Sequence, residues 1–300
     1  MAAPTEPARF DHFLGIDWSG ATGERHRSIA LALADARGGP PVLLRNGGGW
    51  SRAEVLALLR DDLPENTLVG LDIGIALPFA DAGAFFPGWP ESPPDAPALW
   101  GMIEQLCAAD PHFAASSLVD HPEASRHFRR HGGREGDLFH LAGSRHRRGR
   151  FRVTEVAQAE RLGCKPYSNF NLVGAAQVGK SSLTGMRLLH HLRGVLPVWP
   201  VDALPETGSV ITEIYTTIAA LAGGRSAGRS KMRGYAELNA ALAVIGSAQV
   251  ADEGPLDDHS ADAILTAAWL RKVAGDQQLW HPTGLTPEIA ATEGWTFGVP

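Results

Sequence analysis

Residues 13–20 read Phe13-Leu-Gly-Ile-Asp17-Trp-Ser-Gly20, a short apolar run that ends in a carboxylate and a glycine turn. An apolar run of this length, bounded by turn residues, predicts a buried β-strand. A carboxylate at the end of such a strand is costly to desolvate unless a cation or hydrogen-bond donors meet it. Asp17 is therefore the first candidate for a functional residue.

Two other segments repeat this pattern of an apolar run closed by an acidic residue. They are Leu68-Val-Gly-Leu-Asp72-Ile-Gly74 and Val210-Ile-Thr-Glu213-Ile-Tyr215. Three acidic residues in three apolar, strand-like runs favour convergence on one metal site. The alternative is a set of strand-end carboxylates that are satisfied locally and cap helices.

A fourth acidic group lies near the end of the chain, in Asp257-Asp258-His259-Ser-Ala-Asp262-Ala-Ile-Leu-Thr-Ala-Ala-Trp269-Leu-Arg271. The apolar residues of this segment predict a buried helix face. Asp258 and Asp262 are four residues apart, and His259 and Asp262 three apart, so their side chains project from one side of the first turns. Capping and the helix dipole explain Asp257 and Asp258, but not Asp262, which lies within the apolar repeat.

The composition is that of an ordinary folded protein. The chain has 300 residues, of which 44% are hydrophobic and 20% charged, which argues against disorder. Because the formal net charge is -6, a nucleic-acid partner requires a local basic patch. Cys107 and Cys164 lack a zinc-binding pattern. Two cysteines of this kind favour a reduced, cytoplasmic compartment. No run is long and apolar enough to span a bilayer, so we expect no membrane association.

The order of the predicted elements indicates an α/β fold. Strands at 28–34 and 41–45 follow the first strand after short turns, which favours an antiparallel meander. Ser51 and Glu54 form a capping-box pattern that predicts the start of a helix. Later elements are strands at 67–72 and 209–215, and helices at 96–109, 182–193, 216–221, 235–245 and from 258 onward. We expect one domain over residues 1–300, with an insertion at 80–170.

A basic segment at residues 126–152 carries nine arginines against one glutamate and one aspartate. Arginine side chains pair well with phosphate oxygens because their N–H groups form a planar fork. We therefore predict phosphate contacts from Arg145, Arg147, Arg148 and Arg150. The alternative is a solvated surface loop.

The segment Gly174-Ala-Ala-Gln-Val-Gly179-Lys180-Ser181 matches the P-loop expression, in which backbone N–H groups and the lysine cradle phosphates. A strand is predicted ahead of it, at 169–173. Against a nucleotide P-loop, no convincing apolar run ending in aspartate follows to hold Mg²⁺. The alternative is a helix N-terminus with Lys180 facing the acidic site. Lys180 and Ser181 are candidate phosphate contacts.

The element order β-β-β-α-β-(insertion)-β-α, with carboxylates on the first, fourth and fifth strands and the last helix, resembles the ribonuclease H-like fold and its mixed five-stranded sheet. Within that superfamily the chain resembles a family of predicted ribonuclease-H-like nucleases. The matching residues are Gly15-Ile-Asp17, Leu71-Asp72, Glu213-Ile-Tyr215 and Asp262-Ala263. The stretch His259-Ser-Ala-Asp262-Ala is also similar to the last helix of Holliday-junction resolvases. Thr216 stands where the family often has a proline.

The resemblance implies a nuclease that hydrolyses phosphodiester bonds with two Mg²⁺ or Mn²⁺ ions. These hard cations prefer carboxylate oxygens, and two ions would activate water and stabilise the leaving oxygen. The resemblance implies that Asp17 bridges the two ions and that Asp72 and Asp262 each bind one of them. Glu213 would be a fourth ligand or an outer-shell acid, and Asp258 would also belong to the metal site. His259 would position the water. The expected partner is a nucleic acid, either DNA or RNA, and the oligomeric state stays open.

Two other functions fit the same residues. Asp17-Trp-Ser-Gly20 and Asp72-Ile-Gly74 also resemble the phosphate loops of actin-like and sugar-kinase ATPases, which suggests an ATP-binding or phosphotransfer protein. Those ATPases usually duplicate the core, whereas this sequence indicates one copy. The other alternative is a nucleic-acid-binding module without catalysis.

Overall fold

A mixed β-sheet of six strands runs through the centre of the molecule. The computed structural model describes residues 9–141, 149–174, 178–228 and 230–300. In chain order the strands are β1 (His12–Asp17), β2 (Arg25–His26), β3 (Ala30–Asp35), β4 (Val42–Leu44), β5 (Trp50–Ser51), β6 (Thr67–Leu71), β7 (Arg129–Arg130), β8 (Arg134–Glu135), β9 (Val198–Trp199) and β10 (Val210–Glu213). The central sheet has the order β4-β3-β1-β6-β10-β9, while β2 pairs with β5 and β7 with β8.

Helices cover both faces of this sheet. The described residues contain α1 (Arg52–Asp61), α2 (Ala96–Leu106), α3 (Ser116–Asp120), α4 (Val153–Leu162), α5 (Val178–Leu192), α6 (Thr216–Ala222), α7 (Tyr235–Val244), α8 (Asp258–Val273), α9 (Gln277–Trp280) and α10 (Pro287–Thr292). Val55 of α1 and Trp100 of α2 belong to one apolar core, and Leu242 of α7 and Leu265 of α8 belong to another. The protein is therefore α/β, with a mixed sheet between two helical layers.

The strands of the sheet run in two senses. β3 is antiparallel to both β1 and β4, whereas β1, β6, β10 and β9 are parallel to one another. The predicted antiparallel meander is confirmed, and so are the strands that lead to Asp72 and Glu213. The sheet has six strands rather than the predicted five, because the two-residue edge strand β9 is too short to leave a periodic signal in the sequence.

Successive residues of the central strands project to opposite faces of the sheet. On β1, Ile16 belongs to one core and Phe13 to the other. Asp17 therefore shares its face with Phe13, and this is the face covered by α8. At Gly15 an added Cβ would lie 2.5 Å from the carbonyl oxygen of Ala263, so only glycine allows α8 to approach β1 this closely.

The start of α1 follows its sequence signal. The hydroxyl of Ser51 accepts a hydrogen bond from the N–H of Glu54 at 3.1 Å, and the Glu54 carboxylate accepts one from the N–H of Ser51 at 2.8 Å. The predicted capping box is thus complete, and the helix begins at the next residue, Arg52.

The predicted strand at residues 169–173 is wrong. Within it, Asn171 makes an isolated bridge to Arg129, while the Asn169 side chain donates to the carbonyl of Ala76 at 2.8 Å. Asparagine side chains compete for backbone groups in this way and favour turns over strands. Residues 80–170, predicted as an insertion, contain α2, α3, α4 and the β7–β8 pair. Within the described ranges, no helix combines the length and apolar character needed to cross a bilayer.

Candidate functional site

Asp17 and Asp72 stand side by side at the carboxyl ends of two parallel strands. Ile16 on β1 pairs with Leu71 at the end of β6, and the N–H of Asp72 donates to the carbonyl of Ile16 at 2.9 Å. The two aspartates therefore occupy adjacent positions on the same face of the sheet. The structure brings these two predicted site residues together.

Helix α8 adds Asp258 and Asp262 to this edge. Its cap is Asp257, whose side chain accepts the N–H of Ser260 at 2.7 Å, so Asp258 is free for another role. Asp262 interacts electrostatically with Asp72, and Asp258 with Asp17. We call these four carboxylates, Asp17, Asp72, Asp258 and Asp262, the acidic cluster.

Lys231 supplies a positive charge to the acidic cluster. Its Nζ lies 3.2 Å from Oδ2 of Asp262 and 3.3 Å from Oδ2 of Asp258. The lysine precedes Met232, whose side chain is buried in the core under α8. Sequence analysis did not select Lys231, because its loop has no motif beyond a general basic character.

His259 contacts the acidic cluster from the first turn of α8. Its Nδ1 lies 3.1 Å from Oδ2 of Asp17. This hydrogen bond raises the pKa of His259, although burial of the ring acts in the opposite direction. The histidine is therefore biased towards the charged form and serves Asp17 as a hydrogen-bond donor.

Burial makes three of the aspartates reluctant to ionise. Burial raises the pKa of Asp17, against the hydrogen bond from His259. It raises the pKa of Asp72 well above its usual value, and repulsion from Asp17 and Asp262 adds to this effect. The pKa of Asp262 rises to about 6, again chiefly through burial, despite the attraction of Lys231. Closely spaced buried carboxylates whose pKa values are raised by burial and mutual repulsion mark a candidate functional site.

In the ion pair between Asp258 and Lys231, the pKa shifts of both groups favour the charged form. Burial acts to raise the pKa of Asp258, but Lys231 and then His259 outweigh it and leave the pKa lowered. Burial acts to lower the pKa of Lys231, but Asp262 and then Asp17 outweigh it and raise the pKa. The lysine is therefore a permanent cation at neutral pH.

Glu213 does not join the acidic cluster, which corrects its predicted place among the metal ligands. It pairs with Leu71 rather than with Asp72, so the two-residue alternation of a strand sends its side chain to the opposite face from Asp72. There, Arg152 donates to both carboxylate oxygens at 2.6 and 2.7 Å. Thr296 and the N–H of Ile75 donate to the same oxygens.

Arg152 organises a second, separate group of charges. Its guanidinium also donates to Oε1 of Glu155, at 2.6 and 2.9 Å, and to the carbonyl of Glu293 at 2.9 Å. All five N–H groups that an arginine side chain offers are thereby used. The Glu293 carboxylate accepts from the N–H of Val153, at the start of α4. We call Arg152, Glu155, Glu213 and Glu293 the arginine cluster.

A cavity of about 500 Å³ lies between these two groups of charges. Asp72 and His259 line it from the side of the acidic cluster, and Arg152 and Glu213 from the side of the arginine cluster. Other lining residues are Trp18, Ser19, Asn169, Tyr167, Lys180 and Ser181. Its volume is within the range of about 300–1,000 Å³ that is usual for small-ligand pockets.

The turn after Asp17 is held rigidly against the start of α5. At Gly20 an added Cβ would lie 2.3 Å from the carbonyl carbon of Lys180 and 2.4 Å from the backbone nitrogen of Ser181. From the other side, the buried Arg52 donates to the carbonyl of Ser19 at 2.8 Å. Lys180 and Ser181 thus border the same cavity as Asp72. Residues 175–177 of the P-loop-like segment lie outside the described residues.

Arg150 is not available as a phosphate contact, which contradicts its predicted role. Its side chain is 0% exposed, and it donates to Asp81 at 2.5 Å and to the carbonyls of Pro78, Ala84 and Phe85. The arginine therefore fixes the loop at 78–85 from within. Arg145, Arg147 and Arg148, which carry the rest of that prediction, lie outside the described residues.

The oxygen donors of the acidic cluster are of the type that a divalent cation prefers, but they are not spaced to coordinate one. Its donors are carboxylate oxygens, which Mg²⁺ and Mn²⁺ prefer. In the part of the chain that is described, however, no three histidine, cysteine, aspartate or glutamate side chains are arranged to hold an ion as they stand. Lys231 and His259 occupy some of the carboxylate oxygens that an ion would need.

Comparison of the chain with family models, with curated proteins and with solved structures gave no match. The site therefore has to be interpreted from its own residues. The two residues that sequence analysis missed, Lys231 and Arg152, act across long sequence separations. For Arg152 the one local signal was the spacing to Glu155, since residues three apart at a helix start are neighbours. Lys231 had no such signal.

Proposed function

We propose that the protein is a divalent-metal-dependent nuclease on a ribonuclease H-like fold. The observation that carries the proposal is the pairing of Asp17 and Asp72 on adjacent parallel strands, with Asp262 of α8 beside them. The strand order supports the fold assignment, since an antiparallel meander continues into parallel strands across β1. The sequence resemblance described above agrees with both statements.

In this proposal the acidic cluster holds Mg²⁺ or Mn²⁺, with Asp17, Asp72 and Asp262 as ligands. When bound, such an ion supplies a positive charge that lowers the pKa of a coordinated water and neutralises charge on the phosphate. Hydrolysis would add the oxygen of a water to phosphorus, with release of one proton to solvent, and would break one P–O ester bond, whose alcohol would take up a proton from solvent.

The protein's own groups orient the reactants. His259 fixes the carboxylate of Asp17 through its 3.1 Å hydrogen bond, which limits the orientations available to that ligand. Lys180 borders the cavity opposite the cluster and attracts the phosphate of a substrate placed there. The close packing of Gly20 against the backbone of Lys180 and Ser181 brings the turn after Asp17 next to the start of α5.

The test is cleavage of DNA, RNA and hybrid substrates in Mn²⁺ by the wild type, Asp17→Asn and Asp62→Asn. Asp62 is an exposed aspartate at the end of α1 and is the matched control. We expect cleavage by the wild type and Asp62→Asn and its loss in Asp17→Asn. Equal cleavage by Asp17→Asn would mean that the acidic cluster takes no part in the reaction.

A second candidate, nucleotide binding or phosphotransfer, is favoured by one observation. Lys180 and Ser181 border the same cavity as Asp72, so a bound nucleotide would reach both. Calorimetry with ATP distinguishes the two functions. ATP binding that Lys180→Ala abolishes, in a protein that cleaves no polynucleotide, would favour the nucleotide function. Mn²⁺ and nucleic-acid binding without any turnover would indicate a non-catalytic binding module.

A further inference from the structure

The acidic cluster divides into two pairs that meet different cations. Asp17 and Asp72 form the strand pair, and Asp258 and Asp262 form the helix pair. The ammonium of Lys231 lies between the helix pair, at 3.3 and 3.2 Å from one oxygen of each. In the strand pair, the imidazole of His259 is hydrogen-bonded to one carboxylate oxygen of Asp17.

Lys231 is held in this position by its backbone as well as by its ammonium. Its carbonyl accepts a hydrogen bond from Arg225 at 3.2 Å, and Arg225 also contacts Glu237 at the start of α7. The next side chain, Met232, is 0% exposed and belongs to the core shared with α8. The backbone of Lys231 is therefore fixed at its carbonyl and by the buried side chain that follows, while the ammonium is held by its two ion pairs.

A charge in this position excludes a second divalent ion. An ion bound by Asp258 and Asp262 would need oxygens at about 2.0–2.2 Å, in the space between the two carboxylates that the ammonium now occupies. A lysine and a divalent cation at such short range would repel each other strongly in a partly buried site. Lys231 also attracts Asp17 and Asp72 electrostatically, but among the described residues its ion pairs are with Asp258 and Asp262 and not with the strand pair.

We propose that Lys231 takes the place of one of the two metal ions, so that the protein binds a single divalent cation, held by the strand pair and by the other carboxylate oxygen, Oδ1, of Asp262. This inference rests on the proposed function, because it assigns the metal content of the same site. The lysine then supplies a fixed positive charge where a two-metal nuclease would carry its second ion. The two-metal mechanism suggested by the sequence resemblance is thereby reduced to one metal and one lysine.

The test is the stoichiometry of Mn²⁺ binding, measured by calorimetry and checked by electron paramagnetic resonance counting of free Mn²⁺. The proteins are the wild type, Lys231→Met, Lys231→Arg and Lys272→Met. Lys272 is exposed in the last turn of the same helix, about 20 Å along the axis from Asp258 at 1.5 Å per residue. It is therefore a matched control for the loss of one lysine.

We expect one Mn²⁺ per chain in the wild type, Lys231→Arg and Lys272→Met, and two in Lys231→Met. Two ions in the wild type would overturn the inference, even if no variant folded. A single ion in folded Lys231→Met would also overturn it. No Mn²⁺ binding by the wild type would instead contradict the proposed metal site itself, so the two failures are distinguishable.

Discussion

The acidic cluster and the arginine cluster lie at the same edge of one sheet, but the charges of the arginine cluster are fully paired and those of the acidic cluster are not. In the arginine cluster, one fully buried guanidinium uses every N–H group, and Glu213 accepts from four donors. In the acidic cluster, four carboxylates share a half-exposed lysine and a histidine. Complete pairing stabilises the fold, whereas incomplete pairing leaves oxygens for a ligand. The contrast separates fully paired from partly paired acids among residues that look alike in the sequence.

The largest expected effect is in the arginine cluster. Arg152→Met should lower the free energy of unfolding by about 3–5 kcal/mol, because it leaves buried carboxylates without a partner. Urea denaturation measures the change. Arg60→Met, which removes an exposed partner of Asp61, is the control and should leave the free energy of unfolding almost unchanged, because exposed ion pairs contribute little to stability. A similar small cost for Arg152→Met would erase the contrast between the clusters.

The next effect concerns metal and the acidic cluster. Saturating Mn²⁺, at about 100 times its dissociation constant, should stabilise the wild type by about 2.7 kcal/mol through mass action. Asp17→Asn should lose this stabilisation, because it removes a ligand, while Glu155→Gln should keep it despite a lower stability without metal. Thermal unfolding with and without Mn²⁺ measures both. Equal protection of Asp17→Asn would place the ion elsewhere.

A smaller effect should appear in the pH dependence. The pKa of Asp262 is raised to about 6 in the folded protein, against about 3.9 in an unfolded chain. Between these values the folded protein holds a proton that the unfolded chain has released, so stability falls as the pH rises through this window. The raised pKa values of Asp17, Asp72 and His259 act in the same sense, and the lowered pKa of Asp258 opposes them.

We therefore expect the wild type to gain stability, relative to Asp262→Asn, when the pH is lowered from 7.5 to 5. The difference should be about 1–2 kcal/mol. Urea denaturation in the presence of a chelator measures it, since bound metal would mask the effect. Parallel pH profiles for the two proteins would mean that Asp262 ionises as freely as an exposed aspartate.

The smallest effect is expected for Lys180, which borders the cavity without joining either cluster. Lys180→Ala should weaken the binding of phosphate-containing substrates or nucleotides about fivefold, which corresponds to about 1 kcal/mol, because one positive charge at the cavity is lost. Mn²⁺ affinity should be unchanged. Calorimetry measures both, with Lys272→Ala as the control. An altered Mn²⁺ affinity would mean that Lys180 belongs electrostatically to the acidic cluster.

The sequence predicts the elements of this fold better than their orientations. Apolar runs and the Ser51 capping box locate strands and helices because these signals are local. The face on which a strand-end acid projects depends on register, which is set by pairing between distant strands. This is why Glu213 resembled Asp17 and Asp72 in the sequence but lies apart from them in the fold.

The roles of arginine and lysine side chains leave the weakest signals in the sequence. Arg150 lies in a strongly basic segment, and nothing local distinguishes it from a solvated arginine, yet it is buried against Asp81. Lys231 has no motif, and its partners lie in α8, about thirty residues further along the chain. Long, flexible side chains find their partners through tertiary contacts, so their roles follow from the fold rather than from sequence spacing.

The distance in sequence between members of the arginine cluster bears on how the protein is made. The Glu293 carboxylate reaches the N–H of Val153 across 140 positions, and Thr296 reaches Glu213 across 83. A nascent chain emerges from the ribosome at about 5–20 residues per second. The central strands are therefore synthesised several seconds before residues 293–296 emerge and complete the hydrogen bonds of Arg152 and Glu213. During that interval Arg152 lacks the carbonyl of Glu293 and Glu213 lacks the hydroxyl of Thr296, so the charges of the arginine cluster are among the last in the protein to be fully paired.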